Sequence, residues 1–166
     1  MGLFDYGTYI IDGQLLKLRR TMLIKDEKGN GLGKAVKKFF SVSEEIEFFD
    51  NQERKVGVIR RKLVSVRPTY EVYDQYDRHV ASIKKKVVSI GDHWWVESPK
   101  GERILGVDGN IMGVEYRIKD KFGREVAEVS KSFLSIRDQY GVRIIGDVDP
   151  FLVLAVVAAI DLEKTK

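Results

Sequence analysis

Asp149-Pro150-Phe151-Leu152-Val153-Leu154-Ala155-Val156-Val157-Ala158-Ala159-Ile160-Asp161-Leu162 is the stretch from which the fold can be read. From Phe151 to Ile160 it has no polar side chain, so a helix formed there is apolar on every face and must be covered on every face. Asp149 and Pro150 suit an N-cap and a first helical position, and Glu163, Lys164, Thr165 and Lys166 are expected to return the chain to water. About 13 residues at ~1.5 Å per residue give roughly 20 Å, short of the ~17–25 residues of a membrane span. The stretch therefore reads as a core helix rather than a membrane anchor. Four β-branched residues leave a strand open as the alternative, but Pro150 at the start and Ala155, Ala158 and Ala159 inside favour helix.

What surrounds such a helix is suggested by a repeat. Lys37-Lys38-Phe39-Phe40-Ser41-Val42 returns 24 residues later as Arg61-Lys62-Leu63-Val64-Ser65-Val66, and 24 residues later again as Lys85-Lys86-Val87-Val88-Ser89-Ile90. Weaker copies occur at Leu15-Leu16-Lys17-Leu18, at Gly109 to Val114 and at Lys131-Ser132-Phe133-Leu134-Ser135-Ile136. Turn signals fall between the copies in the same register: Asp26 to Gly29, Asp50 to Glu53, Asp74 to Asp77, Ser98 to Gly101, Asp120 to Gly123 and Asp138 to Gly141. Each is flanked by short alternating segments rich in Val, Ile, Tyr and Phe, the strand signal. Six hairpins make about a dozen strands, too many for a barrel filled only by its own side chains and enough to enclose a helix about 10 Å across. The fold class expected is mainly β: an antiparallel closed barrel of repeated hairpins around a central hydrophobic C-terminal α-helix. A leucine-rich solenoid shares the period but lacks its Leu and Asn pattern here.

The segment Lys62 to Asp74, the Asp138 to Gly141 turn and the Asp149-Pro150 helix ending at Leu162 resemble the LURP-one-related family over roughly residues 15–162. That resemblance implies the fold shared with the C-terminal domain of tubby proteins and, more distantly, with phospholipid scramblases: twelve strands closed around a hydrophobic helix. It also implies a single domain over residues 1–166 with a core of about 15–162.

A chain of 166 residues, 43% of them hydrophobic, suits one domain with a full core. There is no cysteine, hence no disulfide, thiolate nucleophile or cysteine zinc site, and cytoplasmic residence, peripheral to a membrane at most, is expected. No catalytic constellation is legible and no cofactor is implied. His79 and His93 have no ligand spacing to another His, Cys or carboxylate. Gly29, Gly31 and Gly33 with Lys34 lack phosphate-loop spacing, and the repeat serines Ser41, Ser65, Ser89 and Ser135 read as structural. The segment from Asp138 to Asp149 has the placement of the scramblase calcium segment, yet its third, fifth and seventh positions are Tyr140, Val142 and Ile144, which offer no carboxylate.

Basic charge in register is the remaining signal. Lys37, Arg61 and Lys85 are equivalent positions, as are Lys38, Lys62 and Lys86, with Arg60 and Lys84 adding to two copies; Lys34, Arg54, Lys55 and Arg78 either extend the set or are solvated tips. On adjacent hairpins these residues form a belt, divided between faces by the alternation of side chains along a strand. The belt reads as a solvated surface or as an anionic-surface site, and the tubby resemblance points to a phosphoinositide-like headgroup. Nucleic-acid binding, a small-ligand carrier or sensor, and a purely structural role are the alternatives. Trp94 and Trp95 are adjacent and face opposite sides, so one of them is either exposed or packed elsewhere on the barrel.

Overall fold

The structure, a computed structural model, describes residues 2–12, 21–39, 43–62, 66–87, 92–131 and 139–164. Its strands are β1 (Thr8–Asp12), β2 (Thr21–Lys25), β3 (Gly31–Phe39), β4 (Glu44–Asp50), β5 (Lys55–Arg61), β6 (Thr69–Asp74), β7 (His79–Val87), β8 (Asp92–Glu97), β9 (Arg103–Asn110), β10 (Glu115–Asp120), β11 (Glu125–Ser130) and β12 (Gln139–Ile144), followed by helix α1 (Pro150–Glu163). Every strand pairs with its neighbours in sequence, and β12 pairs antiparallel with β1, so the twelve close into one barrel. Closure removes the exposed sheet edges that would otherwise invite aggregation.

Five of the six expected turns are present with one geometry. In each, the first residue's carbonyl accepts from the amide three residues on, at 2.9–3.1 Å. The fourth residue then takes a positive φ: 87° at Gly29, 63° at Glu53, 60° at Asp77, 87° at Gly101 and 81° at Gly123. Aspartate opens four of them because its Oδ1 accepts from the amides two and four residues ahead, as Asp50 does from Gln52 (2.9 Å) and Arg54 (3.0 Å). The sixth expectation is corrected. Gly141 lies inside β12, opposite Ile10 and Ser130, because this part of the chain is needed as the strand that closes the barrel. Asp138 lies outside the described residues, as do the repeat residues Phe40 to Val42, Leu63 to Ser65, Val88 to Ile90 and Ser132 to Ile136, and the weak copy at Leu15 to Leu18.

Helix α1 fills the barrel. Asp149 caps it by accepting from the Phe151 amide at 2.9 Å, with Pro150 at its first position. Val153 to Ile160 are all buried, and the facing layer is Tyr9, Ile11, Ile24, Ala35, Ile46, Phe48, Ile59, Val72, Ala81, Ile83, Val96, Ile118, Val129 and Val142. At its N-terminal end Phe151 meets Phe48 at 5.7 Å and Phe4 at 5.1 Å between ring centroids. It also lies so close to β5 that a Cβ on Gly57 would come within 2.3 Å of the ring, so only glycine fits there.

The C-terminal end of the helix differs from expectation. Glu163 does not return the chain to water: it is the last helical residue and is buried, accepting from Arg61 (Nε at 3.2 Å, Nη2 at 3.4 Å) and from the Tyr70 hydroxyl. The barrel mouth extends past the helix end, so a charge there is retained only with partners, which β5 and β6 supply. Burial, followed by the adjacent Glu163 carboxylate, keeps the Tyr70 hydroxyl protonated far beyond the usual tyrosine range.

Asp161 sits two residues earlier, accepting from the Tyr140 hydroxyl at 2.6 Å. Burial pushes its carboxyl up to about 6, against the opposing pull of Tyr140, Lys164 and Lys131. A raised folded-state value means that the native protein holds this proton more tightly than the unfolded chain does. This group therefore costs no stability below about pH 4, destabilises progressively as pH rises to about 6, and stays unfavourable at neutrality, by up to about 3 kcal/mol. Asp161→Asn keeps an acceptor for Tyr140 and is expected to raise neutral-pH stability and flatten the pH 4–6 profile in denaturant titrations. An unchanged profile would mean that the carboxyl is solvated.

Candidate functional site

Parity along the strands divides the basic belt. Ala35, Ile59 and Ile83 are fully buried against the helix, so Lys37, Arg61 and Lys85, two positions further along the same strands, also point inward. Lys38, Arg60, Lys62, Lys84 and Lys86 share the opposite parity and lie on the outer wall. The inner three converge on the mouth at the helix C-terminus. Lys37 is buried and pairs with Glu44 at 3.4 Å; Arg61 pairs with Glu163; the Lys85 ammonium lies 5.8 Å from the centre of the Trp94 ring.

The outer row is largely neutralised. Lys38 pairs with Glu47, Arg60 with Glu45, Lys62 with Glu71 at 3.7 Å, and Lys84 with Glu97 at 2.8 Å, while Lys86 is exposed. Basic β3, β5 and β7 alternate with β4, β6 and β8, which carry these acids, so outward cations meet carboxylates across the ladder. The additional candidates are also paired: Lys34 with Glu53 at 2.8 Å, Lys55 with Glu47 at 3.5 Å, and Arg54 and Arg78 with the turn residues Asp50 and Asp74 at 2.9 and 2.8 Å. The signal for this was in the sequence, in Glu44, Glu45, Glu47, Glu71 and Glu97. It becomes legible only once the pairing of strands is fixed.

Over β6 to β9 the outer wall keeps two arginines without ion-pair partners among the described residues. A groove of about 760 Å³ runs over β6 to β9, with Lys62, Arg67, Lys84 and Arg103 among its lining. Its floor is Trp95, which points away from the barrel interior yet is only 6% exposed, because two guanidinium groups cover it. Arg103 Cζ lies 4.5 Å and Arg67 Cζ 5.5 Å from the ring centre. Neither arginine makes an ion pair among the described residues. The indole N–H donates to Glu97 Oε2 at 3.1 Å. Burial alone would raise the Glu97 carboxyl, but Lys84 and the indole N–H outweigh it and hold that group below the usual carboxylate range. Neither tryptophan is thus exposed: Trp94 packs inside the barrel and Trp95 under arginine. Arg67 and Arg103 were not among the residues singled out from sequence, since neither belongs to the repeat register.

Also in the groove, His79 Nε2 lies 2.5 Å from Glu71 Oε2 and 3.1 Å from Ser82 Oγ, and Ser82 Oγ donates to Glu71 at 2.7 Å. Serine and carboxylate meet the same ring nitrogen, so the cluster lacks the two-ended histidine of a nucleophilic relay. His93 is exposed, and Gly29 occupies a hairpin tip. Asp149 is committed to the helix cap.

The family model that matches this chain is LURP-one-related, over residues 8–161. No curated protein matches it. Among solved structures, the X-ray structure of a protein from Arabidopsis thaliana superimposes with a TM-score of 0.68 at 15% sequence identity, over 93% of this chain and 88% of that one. At that identity the likeness speaks for the fold, the same barrel closed on a helix. The family match spans all twelve described strands and all but the last two residues of the helix, and the chain belongs to the LURP-one-related family.

Proposed function

We propose that this barrel is a non-enzymatic binding module that recognises an anionic phospholipid headgroup of phosphoinositide type. The groove over Trp95, rather than the whole basic belt, is its site. The observation that carries the reading is the pair of guanidinium groups, Arg67 and Arg103, held on one indole without ion-pair partners among the described residues. Guanidinium presents planar paired donors that match phosphate oxygens, and stacking on an indole fixes its orientation in advance of binding. Lys62 and Lys84 border the same groove but are paired there with Glu71 and Glu97, so its net positive charge rests on the two arginines. Val66, next to Arg67 on the rim, is 100% exposed, which suits an apolar contact with the lipid below a headgroup.

The double variant Arg67→Glu/Arg103→Glu is expected to lose sedimentation with phosphoinositide-containing vesicles while melting close to the parent protein, because exposed charges contribute ~0–1 kcal/mol each. Parent binding should weaken with added salt and be absent with phosphatidylcholine alone. Unaltered vesicle binding by the folded double variant overturns the site. Salt-sensitive binding to RNA or DNA in place of vesicles makes the protein a nucleic-acid module, and a small molecule retained in native mass spectrometry makes it a carrier.

A further inference from the structure

We infer that the mouth of the barrel at the C-terminal end of α1 holds a second site, separate from the outer groove, in which Trp94 Nε1–H, with Lys85 beside it, binds the oxyanion of a phosphate group. Trp94 is 3% exposed, and its indole nitrogen has no hydrogen-bond partner among the described residues. Buried donors are satisfied in the great majority of cases, so an orphaned one marks a place where an acceptor belongs.

The surroundings say which acceptor. Lys85 is the direct cross-strand neighbour of Trp94, with its ammonium 5.8 Å from the ring centre. Tyr70 stacks obliquely against Trp94 at 6.4 Å, and its hydroxyl, together with Arg61, is directed at Glu163. The indole and the ammonium are donors with no lone pair to offer, and the Arg61 guanidinium is already committed to Glu163. A phosphate oxyanion accepts from both the indole N–H and the ammonium, whereas a water molecule that did so would have to place its own protons elsewhere. Lys85 has a partner of its own, and the inference rests on the indole donor rather than on an unpaired lysine.

The two tryptophans make the test direct, because they are the whole tryptophan content and face opposite sides of the wall. Trp95→Phe leaves Trp94 as sole reporter of the mouth, and Trp94→Phe leaves Trp95 as sole reporter of the outer groove. Titrating Trp95→Phe with inorganic phosphate is expected to change its emission saturably and to move the single indole N–H resonance downfield in a nitrogen-correlated spectrum. Sodium chloride at matched ionic strength should do neither. Calorimetric affinity for phosphate should fall roughly tenfold or more in Trp94→Phe and in Lys85→Gln. Lys85→Gln carries the test if Trp94→Phe does not fold. Glycerol 3-phosphate competing as well as the free ion identifies an esterified phosphate as the ligand, and its exclusion identifies the free ion. The inference is overturned if phosphate leaves the Trp94 resonance in place, if chloride acts equally, or if affinity survives Trp94→Phe. Loss of vesicle binding through Arg67 and Arg103 leaves this result untouched, so the two sites stand or fall separately.

Discussion

Leu154→Asp is expected to abolish the cooperative fold. Leu154 is 2% exposed at the centre of a helix whose neighbours Val153, Ala155, Val156 and Val157 are as deeply buried, and the described wall around it is apolar. A carboxylate placed there has no partner, and the cost of burying it unpaired, several kcal/mol even after protonation, approaches the ~5–15 kcal/mol by which a whole domain is stable. Removing the helix is expected to be as severe. A chain ending at Asp147 leaves twelve strands around an apolar cavity that water fills only at large cost, and collapse of the ring disrupts its hydrogen-bond register. The measurements are a thermal melt by circular dichroism and an amide correlation spectrum. A truncated chain with a cooperative melt and dispersed β-type amide shifts would show that the barrel closes without its filling.

How far this architecture is legible in sequence depends on the kind of signal. The helix is legible because its pattern is extreme: ten successive apolar residues behind Asp149-Pro150 leave little freedom in placement. The hairpins are legible because the turn chemistry repeats, with Asp at the start and a left-handed residue three positions on, whether Gly123 or the less usual Asp77. Gly141 defeats the same rule, because its neighbourhood is decided by β1, which lies more than a hundred residues away in the chain. The charged positions are harder still. Lys37 and Lys38 differ only in parity, and parity acquires meaning only when Ala35 is known to face the helix. The carboxylates that silence the outer row are carried by the next strand, and Arg67 and Arg103 meet on Trp95 from two separate parts of the chain. A site assembled across strands leaves no spacing in the sequence.

That same parity separates two charge reversals that sequence alone treats as one. Lys62→Glu with Lys86→Glu alters side chains on the outer wall, where Lys62 is more than half exposed and only 3.7 Å at best from Glu71; the pair should shift stability by less than about 1 kcal/mol. Arg61→Glu reverses a charge inside the mouth. It removes the donor to Glu163, which is 6% exposed, and sets a second carboxylate beside it and beside a Tyr70 hydroxyl that has no other acceptor among the described residues. Breaking a buried ion pair from one side costs on the order of 3 kcal/mol, and at ~2–4 °C per kcal/mol for a chain of this size the melting temperature should fall by roughly 10 °C. The exchange Arg61→Glu/Glu163→Arg is expected to recover part of that loss, because the coupling of a double-mutant cycle reports the pair rather than either residue. If Arg61→Glu melts with the parent protein, its guanidinium is in solvent and the helix end is not tied to β5. If the single variant falls but the exchange recovers nothing, the Tyr70 hydroxyl rather than the charge pair is what fixes Glu163 in the mouth.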